Sequence, residues 1–244
     1  MTRWTVRRHR RPQAVASLYC FPHAGGSPGE YVRWSDGLPG VQVWGVHLPG
    51  RTTRLGDPPF TRMEPLVDAL LGAVSFAGPF VFFGHSLGAL VAFEAAKELS
   101  RRGRAQPDAL IVSSCPAPPL PPVRVPLHLL PDDDLLDEVE RRGDEPLDRL
   151  RADPGLRAHA LAALRADFTL LENYRPTPDV GLHCPITVLA GTREPWAAQA
   201  TGWARHTRGP TRTRLLPGGH FYFRDSRPEL LRVLRETVSA SLSP

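Results

Sequence analysis

Lysine is almost missing from this chain: Lys97 is the only one among 30 basic residues, and the remainder are arginine. Against 25 acidic residues this leaves a formal net charge of +5. GC-rich coding explains an arginine bias by itself; the functional reading is a diffuse positive field that draws in an acidic partner. Nucleic acid is excluded as that partner, because no stretch interleaves arginine with aromatics and no zinc-finger or helix-turn-helix pattern occurs. The one dense basic run, Arg7–Arg11, falls in an N-terminal segment expected to fray.

Cysteine is scarce too. Cys20, Cys115 and Cys184 are odd in number and form no CxxC pair, which excludes a disulfide scaffold and points to buried thiols in a reducing compartment. The basic start runs into no apolar signal-peptide core. The long uncharged stretch Gly72–Phe93 is broken by Gly78-Pro79 and by Gly84-His85-Ser86, so it reads as strand, turn and helix rather than a membrane span. A cytoplasmic protein with no membrane partner, no metal and no cofactor is expected. Glycine and proline together make up about a fifth of the residues, below the level of low-complexity chains. The 244 residues suit one large domain or two small ones, and are enough for a sizeable single core.

Short β-branched and aromatic runs bounded by turn residues predict strands at Val15–Phe21, Val41–His47, Phe80–Gly84, Ala109–Ser114, Ile186–Ala190 and Thr211–Leu216. Most are apolar throughout, as parallel strands buried on both faces are. Helices are predicted at Met63–Phe76 and Leu87–Arg101, the latter central. A third follows Ser226 and Pro228, with Leu231, Leu234 and Val238 on its inner face. Alternating strands and helices predict a mostly parallel, doubly wound α/β sheet. From about Pro116 to Arg175 the alternation stops. A proline-rich entry leads into three helical patterns, the last begun by Asp153-Pro154 and striped by Leu161, Leu164, Phe168 and Leu171. About 60 residues is too long for an ordinary connection, so a helical lid over the active face is expected.

The chemistry is carried by Gly84-His85-Ser86-Leu87-Gly88, a G-x-S-x-G sequence set between an apolar strand and a helix. That context is a nucleophile elbow, in which glycines two residues to either side of Ser86 relieve backbone crowding. Serine needs a base held by an acid, in the chain order Ser, acid, His. Among nine histidines, His220 alone lies in a glycine-flexed loop, Gly218-Gly219-His220, after the last strand. His206 is expected on a surface helix. The acid must follow a strand: Ser114-Cys115-Pro116-Ala117 offers none, which leaves Glu194 in Gly191-Thr192-Arg193-Glu194. Oxyanion donors are expected from the N–H of Leu87 and, since Pro22 has none, from Ala24 in Phe21-Pro22-His23-Ala24-Gly25-Gly26.

These motifs, with Leu48-Pro49-Gly50-Arg51, Leu130-Pro131-Asp132-Asp133, Arg165-Ala166-Asp167-Phe168 and Gly218-Gly219-His220-Phe221, resemble in order and spacing the type II editing thioesterases. Those enzymes serve polyketide and nonribosomal peptide synthases. The resemblance implies an α/β-hydrolase fold with a flexible helical lid over a single domain. It also implies hydrolysis of stalled acyl groups from the phosphopantetheine arm of an acyl or peptidyl carrier protein, by a monomer. It places Ser86, Glu194, His220, Ala24 and Leu87 at the functional positions, with Glu194 where the family usually has aspartate. A small-ester esterase of the same fold, or a non-catalytic module that docks carrier proteins, are the competing readings.

Overall fold

Seven strands occur among the described residues: β1 (Thr5–Val6), β2 (Ala16–Phe21), β3 (Val41–Val46), β4 (Phe80–His85), β5 (Ala109–Ser113), β6 (Ile186–Gly191) and β7 (Thr211–Leu216). They form one sheet in the order β1-β3-β2-β4-β5-β6-β7, parallel except where β1 meets β3. The computed structural model describes residues 3–121, 124–143, 146–177, 181–195 and 197–242. All six strands expected from the sequence are present, each end within one residue of its expected place. Central β4 and β5 are buried along their whole length. β7 departs from the buried-on-both-faces expectation: it is the edge, and Arg212 and Arg214 stand exposed on it. Charged side chains on an edge strand discourage pairing with another chain.

The N-terminal segment is a correction. It is ordered, not frayed: Thr5 and Val6 pair with Val46 and Gly45, and Trp4 is buried. Arg11 donates to the carbonyls of Pro39 and Ser35, both at 2.6 Å, and Arg7 stacks over Trp44. The basic run is held by different contacts, Arg11 on loop carbonyls, Arg7 over Trp44 and Arg8 paired with Asp36, which composition cannot reveal.

Eight α-helices are described: α1 (Gly29–Val32), α2 (Met63–Ala73), α3 (Leu87–Arg101), α4 (Asp132–Gly143), α5 (Asp148–Ala152), α6 (Pro154–Glu172), α7 (Tyr222–Asp225) and α8 (Arg227–Ser241). α2 and α3 cover one face of the sheet through Leu66, Leu70, Leu90 and Phe93, packed on Tyr19, Phe80 and Phe82. α8, with Tyr31 and Trp34, covers the other over Val81, Phe83 and Ile111. α2 stops three residues short of the expected end. Val74 turns extended, and Phe76 stacks on Phe80 at 5.3 Å instead of continuing the helix. α8 buries Leu230, Val233, Leu234 and Val238, while Leu231 only half-buries against Gly37. It starts where expected, with Ser226 as N-cap and Pro228 in the first turn, but Ser226 Oγ donates to the Pro217 carbonyl at 2.7 Å instead of capping the helix. Among the thiols, Cys20 and Cys115 are buried; Cys184 is only half-buried, and its burial pushes its pKa up to about 12. His206 is a further correction: it is half-buried, packs on Phe93 and Trp203, and donates to the Pro118 carbonyl at 2.8 Å.

Between β5 and β6 lie α4, α5 and α6. They share a small core of their own, in which Leu127, Leu135 and Leu136 meet Leu161, Leu164 and Phe168. The insertion rejoins the main body at a buried polar knot. Glu94 of α3 accepts from Tyr174 Oη and Thr177 Oγ1, both at 2.6 Å, and Lys97 donates to the Thr177 carbonyl at 2.8 Å. The sole lysine is therefore a buried anchor. At the other end of α6, Asp153 Oδ1 accepts from the Leu156 N–H at 2.9 Å, as the Asp-Pro start predicts. Replacing Asp153 with alanine should cost about 1 kcal/mol. Urea denaturation of Asp153→Ala beside Asp153→Asn, which keeps a capping oxygen, checks this: the alanine variant alone should lose stability.

Candidate active site

β4 ends at His85 and α3 begins at Leu87, so Ser86 makes the whole connection. Its φ of 54° and ψ of −119° lie where L-residues rarely go, at a cost of about 1–3 kcal/mol that the surroundings must offset. The crowding expected from the motif is present. A β-carbon on Gly84 would lie 2.2 Å from the Gly88 carbonyl oxygen, and one on Gly88 would lie 2.1 Å from that of Phe21. The Ser86 N–H donates to the Ser113 carbonyl at 2.8 Å, tying the elbow to β5.

Glu194 and His220 meet directly. His220 Nδ1 donates to Glu194 Oε1 at 2.8 Å; the carboxylate is buried, while the ring is about a quarter exposed, with a side-chain accessibility of 24%. The second carboxylate oxygen accepts from Ser114 Oγ at 2.8 Å and from the Gly191 N–H at 3.1 Å. Ser114 Oγ also lies 3.0 Å from the His220 carbonyl, so its single proton sits between two acceptors, the nearer being the carboxylate. The strand end that carries no carboxylate thus still serves the acid. Ser114 was missed because a serine after a strand has no distinctive signal; its φ of +49° is visible only in the fold. No hydrogen bond joins Ser86 Oγ to His220 among the described residues. The two share His85 as neighbour, whose ring centroid is 5.0 Å from that of His220.

His85 is fully buried and hydrogen-bonded through Nδ1 to Ser113 Oγ at 2.8 Å, which in turn meets Tyr222 Oη at 2.6 Å. Burial, reinforced by His220 and His23, drives its pKa well below that of a free imidazole. His23 is likewise neutral: burial, then His220, Arg224 and Arg51, bring it down to about 3. Its Nδ1 lies 2.8 Å from Tyr31 Oη, so this ring anchors the early loop. Of the three histidine rings at the site, His85 is fully shielded, while His23 and His220 are each half-buried.

That early loop is fastened at each N–H but one. His23 N–H approaches Tyr31 Oη at 3.4 Å, Gly25 N–H donates to Asp167 Oδ2 at 2.7 Å, and Gly26 N–H donates to the His23 carbonyl at 2.9 Å. Among the described residues the Ala24 N–H has no internal acceptor. Leu87, at the first turn of α3, has its N–H outside the helix ladder as well. Asp167 also pairs with Arg51 through two hydrogen bonds of 2.8 and 2.7 Å, both side chains being buried. Both residues lie in motifs visible in the sequence, but nothing there pairs positions 116 apart. Among the described residues no group of three His, Cys, Asp or Glu side chains is placed to hold a metal, and no helix is long and apolar enough to cross a membrane.

A family model described as a thioesterase domain matches residues 16–238. Thioesterase PikA5 of Streptomyces venezuelae is 39% identical over 233 residues, covering 93% of this chain and 82% of the relative. Gramicidin S biosynthesis protein GrsT of Aneurinibacillus migulanus is 28% identical and covers 100% of this chain and 97% of its own. The solved type II thioesterase BorB, from the borrelidin biosynthetic cluster, superposes with a TM-score of 0.82 at 33% identity, covering 97% and 96% of the two chains. The sheet order and these neighbours identify the α/β-hydrolase fold.

His23 and His85, neutral when folded, take up protons at about pH 6.5 once unfolded. The unfolded state then binds more protons, so stability should fall as pH drops below about 6.5, by about 1.4 kcal/mol per pH unit for each ring. Denaturation midpoints from pH 7.5 to 5 check the slope, and His23→Gln should flatten it.

Proposed function

Since this chain belongs to the thioesterase family, we propose that it cleaves acyl thioesters on the phosphopantetheine arm of carrier proteins, with Ser86 as nucleophile. It is a type II thioesterase of the kind found in polyketide and nonribosomal peptide biosynthesis, and removal of stalled or aberrant acyl groups is the proposed role. The family match favours this over a small-ester esterase or a non-catalytic docking module.

The single observation that carries the reading is the 2.8 Å contact from His220 Nδ1 to the buried Glu194 carboxylate, beside an elbow that holds Ser86 in left-handed backbone. A carboxylate can only accept from Nδ1–H, so the Nε2 lone pair is left to take the serine proton. In the proposed sequence Ser86 Oγ bonds to the thioester carbonyl carbon while its proton passes to His220. The N–H groups of Ala24 and Leu87 hold the resulting oxyanion. Collapse breaks the C–S bond, and His220 returns the proton to the departing thiolate. Water, deprotonated by His220, then attacks the acyl-serine carbonyl; the bond to Ser86 Oγ breaks, His220 returns the proton to Oγ, and the acid leaves. Glu194 stabilises the imidazolium in both halves.

The helices within about residues 116–175 are proposed as a lid on this single domain. Supporting that, they pack as a unit and α6 rests Leu164 and Asp167 on the early loop. The free thiols support a reducing cytoplasm as the working compartment, and a monomer is the proposed form.

Mass spectrometry of acyl-loaded carrier proteins tests the assignment. Ser86→Ala and His220→Ala should each lower kcat by three orders of magnitude or more, and the double variant should be scarcely worse, because the members of a triad act together. Glu194→Gln should lose about a hundredfold, with Glu194→Asp retaining substantial activity. Losses that simply multiply in the double variant would overturn the shared mechanism.

A further inference from the structure

The buried pair Arg51–Asp167 belongs to none of the roles above. Its guanidinium and carboxylate meet through two near-parallel hydrogen bonds of 2.8 and 2.7 Å, with side-chain accessibilities of 5% and 4%. A charge pair removed from water costs desolvation, and apolar residues of similar volume would often hold the fold equally well. Apart from a 3.4 Å hydrogen bond from Arg51 Nε to the Pro49 carbonyl, the further hydrogen bonds of the two side chains go to the early loop. Asp167 Oδ2 accepts from the Gly25 N–H at 2.7 Å, and Arg51 Nη1 donates to the Gly26 carbonyl at 3.1 Å. Two successive residues of the early loop are thus gripped by opposite charges, immediately after Ala24.

The grip comes from the helical insertion. Asp167 and Leu164 lie three residues apart on α6, so they share one face. Leu164 presses on the same glycine: a β-carbon on Gly25, whose φ is +71°, would sit 2.6 Å from Leu164 Cδ2. The left-handed conformation of Gly25 sets the direction of the peptide before it; Leu164 and Asp167 of α6 contact Gly25 itself, and Arg51 holds the carbonyl of the next residue.

We propose that Asp167, steadied by Arg51, is a positioning residue that fixes the Ala24–Gly25 backbone for oxyanion binding while α6 is seated, so that insertion and oxyanion loop form as one unit. This rests on the assignment of Ala24 as an oxyanion donor. Loss of Asp167 should therefore slow the chemical step more than it weakens substrate binding.

Two readouts separate this from the thioesterase reading itself. One is kcat and KM on an acyl-loaded carrier protein. The other is the rate at which a fluorophosphonate labels Ser86, which needs the nucleophile and the oxyanion loop but no carrier. Asp167→Ala should lower kcat and the labelling rate by about tenfold to a hundredfold, short of or equal to the loss of one oxyanion donor, with KM within about threefold of the parent. Asp167→Asn keeps an oxygen for the Gly25 N–H and should lose less. The paired replacement Arg51→Met with Asp167→Leu removes both charges; it should regain thermal stability relative to Asp167→Ala without regaining the labelling rate. Labelling of Asp167→Ala at the parental rate would overturn the proposal, as would recovery of the rate by the Met/Leu pair. Should the pair not fold, the order parent, Asp167→Asn, Asp167→Ala decides, and equal rates across it overturn the proposal. A parent protein that labels at Ser86 yet hydrolyses no carrier thioester would sink the thioesterase reading, and the labelling rates would still decide the role of Asp167.

Discussion

Among the described glycines the tightest approach is that of the Phe21 carbonyl to the backbone of Gly88, where a β-carbon would lie only 2.1 Å from the oxygen. It sets the first turn of α3 directly against the end of β2. Ser86 passes from β4 into α3 through positive φ and stays half-buried there. The chain leaving β2 must also pass beside the start of α3, so the loop at residues 22–26 and the N–H of Leu87 come from touching segments. The proposed nucleophile and both proposed oxyanion donors thus lie around one close approach between two backbones.

The acid side is built differently, by convergence of three strand ends. Ser114 follows β5, Glu194 follows β6, and His220 follows β7, so adjacent parallel strands deliver all three groups to one edge. Glutamate is longer than the aspartate usual in the family, and its extra reach is absorbed by folding back. The carboxylate accepts from Gly191, three residues earlier on its own turn, while its other oxygen faces the ring. With Ser114 added, the carboxylate has three donors, which is enough to keep a buried anion satisfied.

Much of this could be read from residues alone, for physical reasons that differ by element. The central strands were legible because burial on both faces leaves an unbroken apolar run, and the elbow because its glycines are demanded by sterics. Glu194 and His220 were legible because parallel topology restricts where a side chain can reach the edge. The N-terminal run was misread: Arg11, which satisfies the carbonyls of Ser35 and Pro39, looks like solvated charge. Ser114, and the pairing of Arg51 with Asp167, depend on contacts between segments far apart in the chain. Nothing in their local pattern distinguishes them from a turn serine and two surface charges.

The knot around Glu94 has a mechanical meaning. α6 is a rod of 19 residues, about 28 Å long at the usual rise, and Tyr174, just beyond its C-terminal end, is riveted to α3. A rod fixed at one end swings as a lever. Rotation of about 10° about that fulcrum would carry Pro154 through about 5 Å and Asp167, some seven residues from the pivot, through about 2 Å. The far displacement would open a wide mouth for a bulky acyl chain. The near one would be just large enough to part hydrogen bonds of 2.7 Å, so in the proposed lid a broad opening at the helix tip would go with a small release at the loop.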